Sequence, residues 1–262
     1  MSLWAALLLG LLQGLTEFLP VSSSGHLALA QLLLPGFEQP GVVFDAMLHA
    51  GTALAIVWYE RRQLLAWLTQ AAGRRLLGLL VLGTLVTAVL ALPLRRVVHG
   101  AFERPVWVGM CLLVTGVVVL LSRRLGGDRS EGDTGWRHAV LIGLAQGVAV
   151  FPGISRSGIT ITAGLACGLE RAWAARFSFL LSVPAVAGAT IVEVLGERQQ
   201  LVAAAPSFWL ACLAGGTVAG ISGYLALRMV LHTLSQRLFH RFGWYCLPLG
   251  LLVLAATWGG WL

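Results

Sequence analysis

The sequence predicts an all-α polytopic membrane protein, with six transmembrane helices plus two re-entrant helical hairpins in an inverted-topology repeat. Three observations carry this. Only 11% of the 262 residues are charged and 58% are hydrophobic, against roughly a quarter charged in an ordinary soluble domain. Mean hydropathy is +0.84, and a soluble chain of this length could not hide so much apolar surface. Six apolar runs reach the roughly 20 helical residues that a bilayer demands, and two shorter, interrupted regions half a chain apart resemble each other. The composition excludes a soluble enzyme, a nucleic-acid module and a disordered chain.

The first hairpin covers 3–34. Leu3–Leu12 is an apolar half-span, Gln13–His26 is a polar break holding Glu17, Pro20 and three serines, and Leu27–Leu34 is a second half-span. Three spans follow near 42–59, 76–92 and 106–122. The stretch Arg61–Arg75 has Leu64, Leu65, Trp67 and Leu68 between arginine pairs, which predicts an interfacial helix. A polar linker, 123–137, ends repeat 1 (about 1–122). Repeat 2 (about 138–262) opens with a second hairpin over 139–169: apolar Ala139–Val150, a break at Phe151–Gly158, then Ile159–Leu169. Its spans lie near 174–194, 207–230 and 242–260. Broken, polar tips are tolerated at membrane depth only where protein or a cavity encloses them, so the whole of 1–262 reads as a single integral membrane domain.

Sliding the chain by 133 residues pairs Gly10 with Gly143, Gln13 with Gln146, Gly14 with Gly147 and Phe18 with Phe151. The same offset pairs Ser22 with Ser155, Ser24 with Ser157, Gly25 with Gly158, Phe44 with Phe177 and Leu48 with Leu181. A unit of one hairpin and three spans has an odd number of crossings, so its second copy enters the membrane inverted. The two tips then approach from opposite faces and share one site.

All 18 basic residues are arginine, and the formal net charge is +7. In a soluble protein that balance would suggest nucleic acid; here the arginines sit in short loops and set topology. Loops 60–75, 123–137, 170–176 and 228–241 hold thirteen of them, whereas the opposite loops hold Arg95, Arg96, Arg104 and Arg198. The richer side is cytoplasmic, so both termini and the mouth of the first hairpin face outward. Cys111, Cys167, Cys212 and Cys246 lie singly in apolar segments, as small packing residues do. Trp58, Trp107, Trp209, Trp244 and Trp258 sit near span ends, as an interfacial belt requires.

Ionisable side chains inside a membrane cost about 2.5–3.5 kcal/mol each and mark function. Here they are Glu17, His26, Asp45, His49 and Arg156, with Glu193 nearer a span end. Three of them lie in the hairpin breaks beside Ser22, Ser23, Ser24, Ser155 and Ser157. Helix N-termini after the serines would aim N–H groups at an anion, and Arg156 could fork onto two phosphate oxygens. A serine or His26 could attack phosphorus, with Glu17 as base or metal ligand. Asp45 and His49, one turn apart on one helix face, could line the cavity or form a structural pair. Gln146 echoes Gln13 as cavity lining or as a relic of duplication.

At these residues a family resemblance emerges. Gln13-Gly14-Leu15-Thr16-Glu17-Phe18-Leu19-Pro20-Val21-Ser22-Ser23-Ser24-Gly25-His26 closely resembles the first signature of bacterial undecaprenyl-diphosphatases of the bacitracin-resistance type. Pro152-Gly153-Ile154-Ser155-Arg156-Ser157-Gly158 resembles their second signature, and Phe177–Pro184 a third stretch. The resemblance implies hydrolysis of undecaprenyl diphosphate to the monophosphate and inorganic phosphate, which recycles the cell-wall lipid carrier and confers bacitracin resistance. It implies residence in the bacterial cytoplasmic membrane, with the cavity open to the outer, periplasmic face. It also implies a divalent cation, Mg²⁺ or Ca²⁺, held by Glu17 and Gln13. The family's Glu/Gln-x-x-x-Glu motif falls on Gln13 and Glu17. Many members have Glu at the first place. An amide cannot act as base and binds cations more weakly, so the burden shifts to Glu17. Position 151, often Trp in the family, is Phe.

The resemblance maps the catalytic set to Glu17, Ser23, His26 and Arg156, with Ser22, Ser24, Gly25, Ser155, Ser157 and Gly158 around the phosphates. Ser23 is the preferred nucleophile, with Glu17 or His26 relaying its proton, and His26 as a phosphohistidine nucleophile is the rival. The prenyl tail would lie in lipid-facing grooves. An inverted-repeat transporter or flippase of polyprenyl phosphate is the alternative, and a membrane scaffold a weaker third. The sequence leaves a homodimer open.

Overall fold

Among the described residues, eleven α-helices and two short 3-10 turns carry the chain, and no strand is present. The structure is a computed structural model describing residues 1–35, 37, 42–102, 104–202 and 204–262. The side chains of Ala71, Ala72, Arg95, Arg96, His99 and Gln200 lie outside that description, and with them the part of the charge count that rests on Arg95 and Arg96. The helices are α1 (Leu3–Phe18), α2 (Ser23–Leu33), α3 (Val42–Thr69), α4 (Ala71–Phe102), α5 (Pro105–Leu121), α6 (Trp136–Val148), α7 (Arg156–Ala166), α8 (Arg171–Gly196), α9 (Arg198–Val202), α10 (Pro206–Ser235) and α11 (Gly243–Trp258). Six of them (α3, α4, α5, α8, α10 and α11) supply segments long and apolar enough to cross a bilayer. Each matches one span read from the sequence, and the chain is a multi-pass membrane protein.

The two interrupted regions fold as helix–turn–helix pairs, α1–α2 and α6–α7. Their breaks are narrower than expected. α1 does not stop at Leu12 but continues through Phe18, so Gln13 and Glu17 are helical. The polar residues there suit a helix: the Thr16 hydroxyl donates back to the Leu12 carbonyl at 2.6 Å. Pro20 ends it, because the residue before a proline is driven out of the α region. Leu19 is accordingly extended, with ψ 142°. α2 then starts at Ser23, its first turn capped by the Ser22 hydroxyl, and α7 starts at Arg156 under the Ser155 cap.

α1 packs along α10, α6 along α4, α5 along α11, and α3 across both α8 and α10. Glycines permit these approaches, as small residues do between membrane helices. A Cβ on Gly10 would sit 2.3 Å from the Gly215 carbonyl oxygen, and one on Gly143 2.5 Å from that of Gly83. The core collects Phe18, Trp67, Trp173, Phe177 and Phe179. Phe18 meets Phe179 edge-on at 5.3 Å, an arrangement adding about 0.5–1.5 kcal/mol to plain burial. This contact seats the end of α1 on α8.

One expectation changes. Arg61–Arg75 is not a separate interfacial helix: α3 runs unbroken to Thr69, and the rest of the stretch opens α4. No Gly or Pro interrupts 52–72, and Trp67, 2% exposed, is drawn inward against Trp173 at 6.5 Å. A bidentate ion pair fixes the same region, with Arg176 Nε and Nη2 donating to Glu60 at 2.8 and 2.6 Å. The polar linker 123–137 is tied to the second hairpin and to α8. Gly126 N–H donates to the Leu165 carbonyl at 3.1 Å, Arg129 N–H to that of Gly168 at 3.2 Å, and Trp173 Nε1 to Thr134 at 2.7 Å. The cysteines are free, with Cys111, Cys212 and Cys246 buried, and the five belt tryptophans face outward.

Candidate active site

Glu17 is 5% exposed and lies in the last turn of α1. Removing a carboxylate from water costs several kcal/mol unless partners replace the lost solvation, and four do. Arg156, the first residue of α7, donates Nη2–H to Oε1. Oε2 accepts from Ser23 Oγ at 2.5 Å and from Gln13 Nε2 at 2.7 Å, while His49 Nδ1 lies 3.2 Å away. Gln13 shares the helix face of Glu17 because it is one turn earlier. Its amide nitrogen also lies 2.8 Å from His49 Nδ1.

The two tips are laced together. Ser22 Oγ accepts from Gly25 N–H at 3.3 Å in its own hairpin and from Gly153 N–H at 3.1 Å in the other. Ser157 Oγ donates to the Leu19 carbonyl at 3.0 Å. Ser22 pays for this position with φ +70°, a left-handed conformation costing on the order of 1–3 kcal/mol for a side-chain-bearing residue. Gly153 also has positive φ, and a Cβ there would lie 2.4 Å from the Val108 carbonyl oxygen, so only glycine fits. Thr115 of α5 pins the second tip, donating to the Gly153 carbonyl at 2.8 Å and accepting from Ser155 N–H at 2.9 Å. Ser155 accepts from Gly158 N–H at 3.0 Å and lies 3.2 Å from Ser157 Oγ. Ser24 Oγ is 3.3 Å from Ser22 Oγ. The first turns of α2 and α7 leave backbone N–H groups that a helix cannot satisfy internally, and such ends favour anions.

His26 is oriented differently from Ser23. Its Nδ1 is 2.7 Å from the Ser22 carbonyl and its Nε2 is 2.8 Å from the Tyr245 hydroxyl. Thus Glu17, not His26, is the hydrogen-bond partner of Ser23. Asp45, one turn before His49 on α3, accepts from Gln31 Nε2 at 2.8 Å. Gln146 makes none of the hydrogen bonds of this cluster. Its amide donates to Thr87 at 3.2 Å and to the Leu181 carbonyl at 3.4 Å. Thr115 and Tyr245 escaped the sequence reading, since a lone hydroxyl in an apolar span carries no pattern.

A family model for bacitracin resistance protein BacA matches residues 6–252. The chain belongs to the BacA family. The match encloses every site residue from Gln13 to Tyr245. A relative from Syntrophotalea carbinolica is 44% identical over 259 residues, covering 95% of this chain and 97% of the relative. One from Desulforapulum autotrophicum is 42% identical, covering 98% and 99%, and one from Carboxydothermus hydrogenoformans is 36% identical, covering 99% of each. All three are named undecaprenyl-diphosphatase.

The BacA-family site suits a hard divalent cation in its donor chemistry. Glu17 supplies carboxylate oxygen, and Gln13 Oε1 is a buried amide oxygen with no hydrogen-bond partner among the described residues. No group of three or more His, Cys, Asp or Glu forms a closed cage among the described residues. Mg²⁺ characteristically uses one or two carboxylates and takes its remaining ligands from phosphate and water, so this donor set fits an ion arriving with a diphosphate.

Proposed function

We propose that the protein is a membrane hydrolase converting undecaprenyl diphosphate and water to undecaprenyl phosphate and inorganic phosphate. In the bacterial cytoplasmic membrane this recycles the lipid carrier for cell-wall synthesis and confers bacitracin resistance. The observation that carries the reading is the union, on one buried carboxylate, of Arg156 from α7 and a serine hydroxyl 2.5 Å away. The relatives' name, undecaprenyl-diphosphatase, supplies the substrate. Arg156 and the N-termini of α2 and α7 receive the diphosphate, with Ser22, Ser24, Gly25, Ser155, Ser157 and Gly158 shaping the cradle. The prenyl tail stays in lipid.

Ser23 Oγ attacks the terminal phosphorus as its proton passes to Glu17 Oε2. The bond from phosphorus to the bridging oxygen breaks, and undecaprenyl phosphate leaves with the electron pair. Arg156 balances charge on the phosphoryl oxygens. A water then attacks the phosphoserine, giving a proton to His26 Nε2. The Ser23–phosphorus bond breaks, Ser23 recovers its proton from Glu17, and His26 hands the water proton to the departing inorganic phosphate. Glu17 and Gln13 Oε1 would hold a Mg²⁺ or Ca²⁺ ion, which when bound supplies charge neutralisation for the phosphate oxygens.

The same reading makes α1–α2 and α6–α7 re-entrant hairpins of an inverted repeat, with repeat 1 about 1–122 and repeat 2 about 138–262. Reciprocal packing supports it: α1 lies on α10 as α6 lies on α4. Gly109 approaches the Gly250 carbonyl as Gly243 approaches that of Gly116. The arginine bias supports cytoplasmic placement of loops 60–75, 123–137, 170–176 and 228–241, and an outer mouth for the first hairpin.

Purified protein should release phosphate from undecaprenyl diphosphate, lose that activity with EDTA, and lack it as Arg156→Ala. A folded Arg156→Ala protein with full turnover would refute the site. Lipid movement in liposomes without phosphate release would replace hydrolysis by the transporter reading.

A further inference from the structure

Tyr245 is the third residue of α11 and lies 219 positions from His26, yet its hydroxyl is 2.8 Å from His26 Nε2. The two rings stack with centroids 5.8 Å apart and planes inclined by 13°. The other ring nitrogen, Nδ1, is 2.7 Å from the Ser22 carbonyl. A carbonyl only accepts, so Nδ1 carries the proton. In the neutral ring Nε2 is then a lone pair, and the Tyr245 O–H is its donor. The imidazole is therefore held at both nitrogens and on one face.

We propose that Tyr245 is a positioning residue for phosphate hydrolysis, holding His26 in the Nδ1–H tautomer with Nε2 presented as a proton acceptor. The inference rests on the hydrolase reading above and extends it to a residue of α11. Tyr245 is suited to this in three ways. Its neighbour Cys246 is fully buried and reaches the Pro20 carbonyl at 3.4 Å, so α11 is docked on the first tip beside the ring it steers. Tyr245 itself is 48% exposed, so its ring is not locked into the core and its hydroxyl can turn at Nε2. The hydroxyl also serves both protonation states: it donates to Nε2 while the ring is neutral, turns aside to leave that lone pair to the proton of the attacking water, and then accepts from Nε2–H once the proton has been taken. Phenylalanine can do neither, although it can stack. The proton balance is unchanged, since Tyr245 neither gains nor loses a proton over the cycle.

Tyr245→Phe separates the hydroxyl from the stack. Since general acid–base catalysis is worth about 10²–10⁴-fold in all, loss of alignment alone should lower kcat by about tenfold. KM for undecaprenyl diphosphate should stay within about twofold, with unchanged elution and unfolding temperature, because Phe keeps the packing. Tyr245→Ala should fall further. In a His26→Ala background Tyr245→Phe should add no further loss, since groups acting through one another are not additive. An unchanged kcat in Tyr245→Phe, a loss confined to KM, or the same factor in both backgrounds overturns the proposal. Arg156→Ala assayed alongside separates the two levels. If it keeps turnover, the hydrolase site fails; if it is inactive while Tyr245→Phe is untouched, only the role of Tyr245 fails.

Discussion

The α1–α2 and α6–α7 hairpins share a frame and carry different chemistry. In each, a serine caps the outgoing helix and accepts from the glycine three residues on: Ser22 from Gly25, Ser155 from Gly158. Each incoming helix carries a glutamine at the same offset, Gln13 or Gln146. The 133-residue offset then sets Glu17 against Val150, Ser23 against Arg156 and His26 against Ile159. Two identical tips meeting at one point would bring like charges together, which raises the cost of burying either. A pair of opposite charge requires the copies to diverge. Here the acid, the hydroxyl and the imidazole lie on one copy and the guanidinium on the other, while the caps and glycines that shape both turns are retained.

The largest test of that comparison removes the cross-hairpin bond. Arg156→Ala leaves Glu17 buried without its counter-charge, a change typically worth 3–5 kcal/mol. Turnover should fall by about 10³-fold or more, measured as phosphate release from protein that still elutes as a folded species. Arg156→Lys, which keeps charge but loses the fork, should recover part of it. Equal turnover in all three proteins would mean that the second hairpin contributes shape alone.

The next test contrasts the serines at the two helix starts. Ser23→Ala should cost about 10³-fold or more in kcat, as loss of a nucleophile does. Ser155→Ala removes a cap and should lower stability by about 1 kcal/mol with far more activity retained. Reversed effects would transfer the chemistry to the second hairpin.

Legibility in the sequence divides along the same line. The spans were readable because burial in lipid demands long apolar runs. The juxtaposition of Glu17 and Arg156 was readable because a charged group at membrane depth needs a partner, and the breaks were the only polar regions long enough to supply one. What escaped is equally physical. The breaks are narrower than the polar stretches because Gln13 and Glu17, which resemble loop residues in isolation, suit an inward helix face as an i, i+4 pair. Trp67, flanked by arginines, imitates an interfacial residue until Trp173 covers it. Gln146 matches Gln13 letter for letter, and only its neighbours, Thr87 and Leu181, separate it from the site. Tyr245 and Thr115 act through single hydroxyls that no periodicity marks.

The two glutamines give an intermediate test. Gln13→Ala removes a donor to Glu17 and frees His49 Nδ1, and should lower kcat by roughly 10–100-fold, the scale seen for residues that orient a reacting group. Gln146→Ala should leave kcat within about threefold and instead lower stability by about 1 kcal/mol, the worth of a typical buried hydrogen bond. Equal kinetic losses would return Gln146 to the site.

The smallest effects concern how each tip is anchored by the neighbouring span. The second tip is held by Thr115, which satisfies the Gly153 carbonyl and the Ser155 N–H together. The first is met from α11 by the Cys246 thiol, at 3.4 Å from the Pro20 carbonyl, and a thiol is a weak donor. Thr115→Val keeps the shape but strands a buried carbonyl and a buried N–H, so unfolding in detergent should show a loss of about 1–3 kcal/mol. Cys246→Ser supplies a stronger donor at nearly the same size and should change stability by less than about 1 kcal/mol. The first tip tolerates the weaker anchor because its own Ser22 already holds Gly153 across the junction and Glu17 ties it to Arg156. The second tip has no carboxylate of its own, so its geometry depends on α5. If Cys246→Ser proved as disruptive as Thr115→Val, the first tip would lean on its neighbouring span as heavily as the second, and the division of labour between the hairpins would not extend to their support.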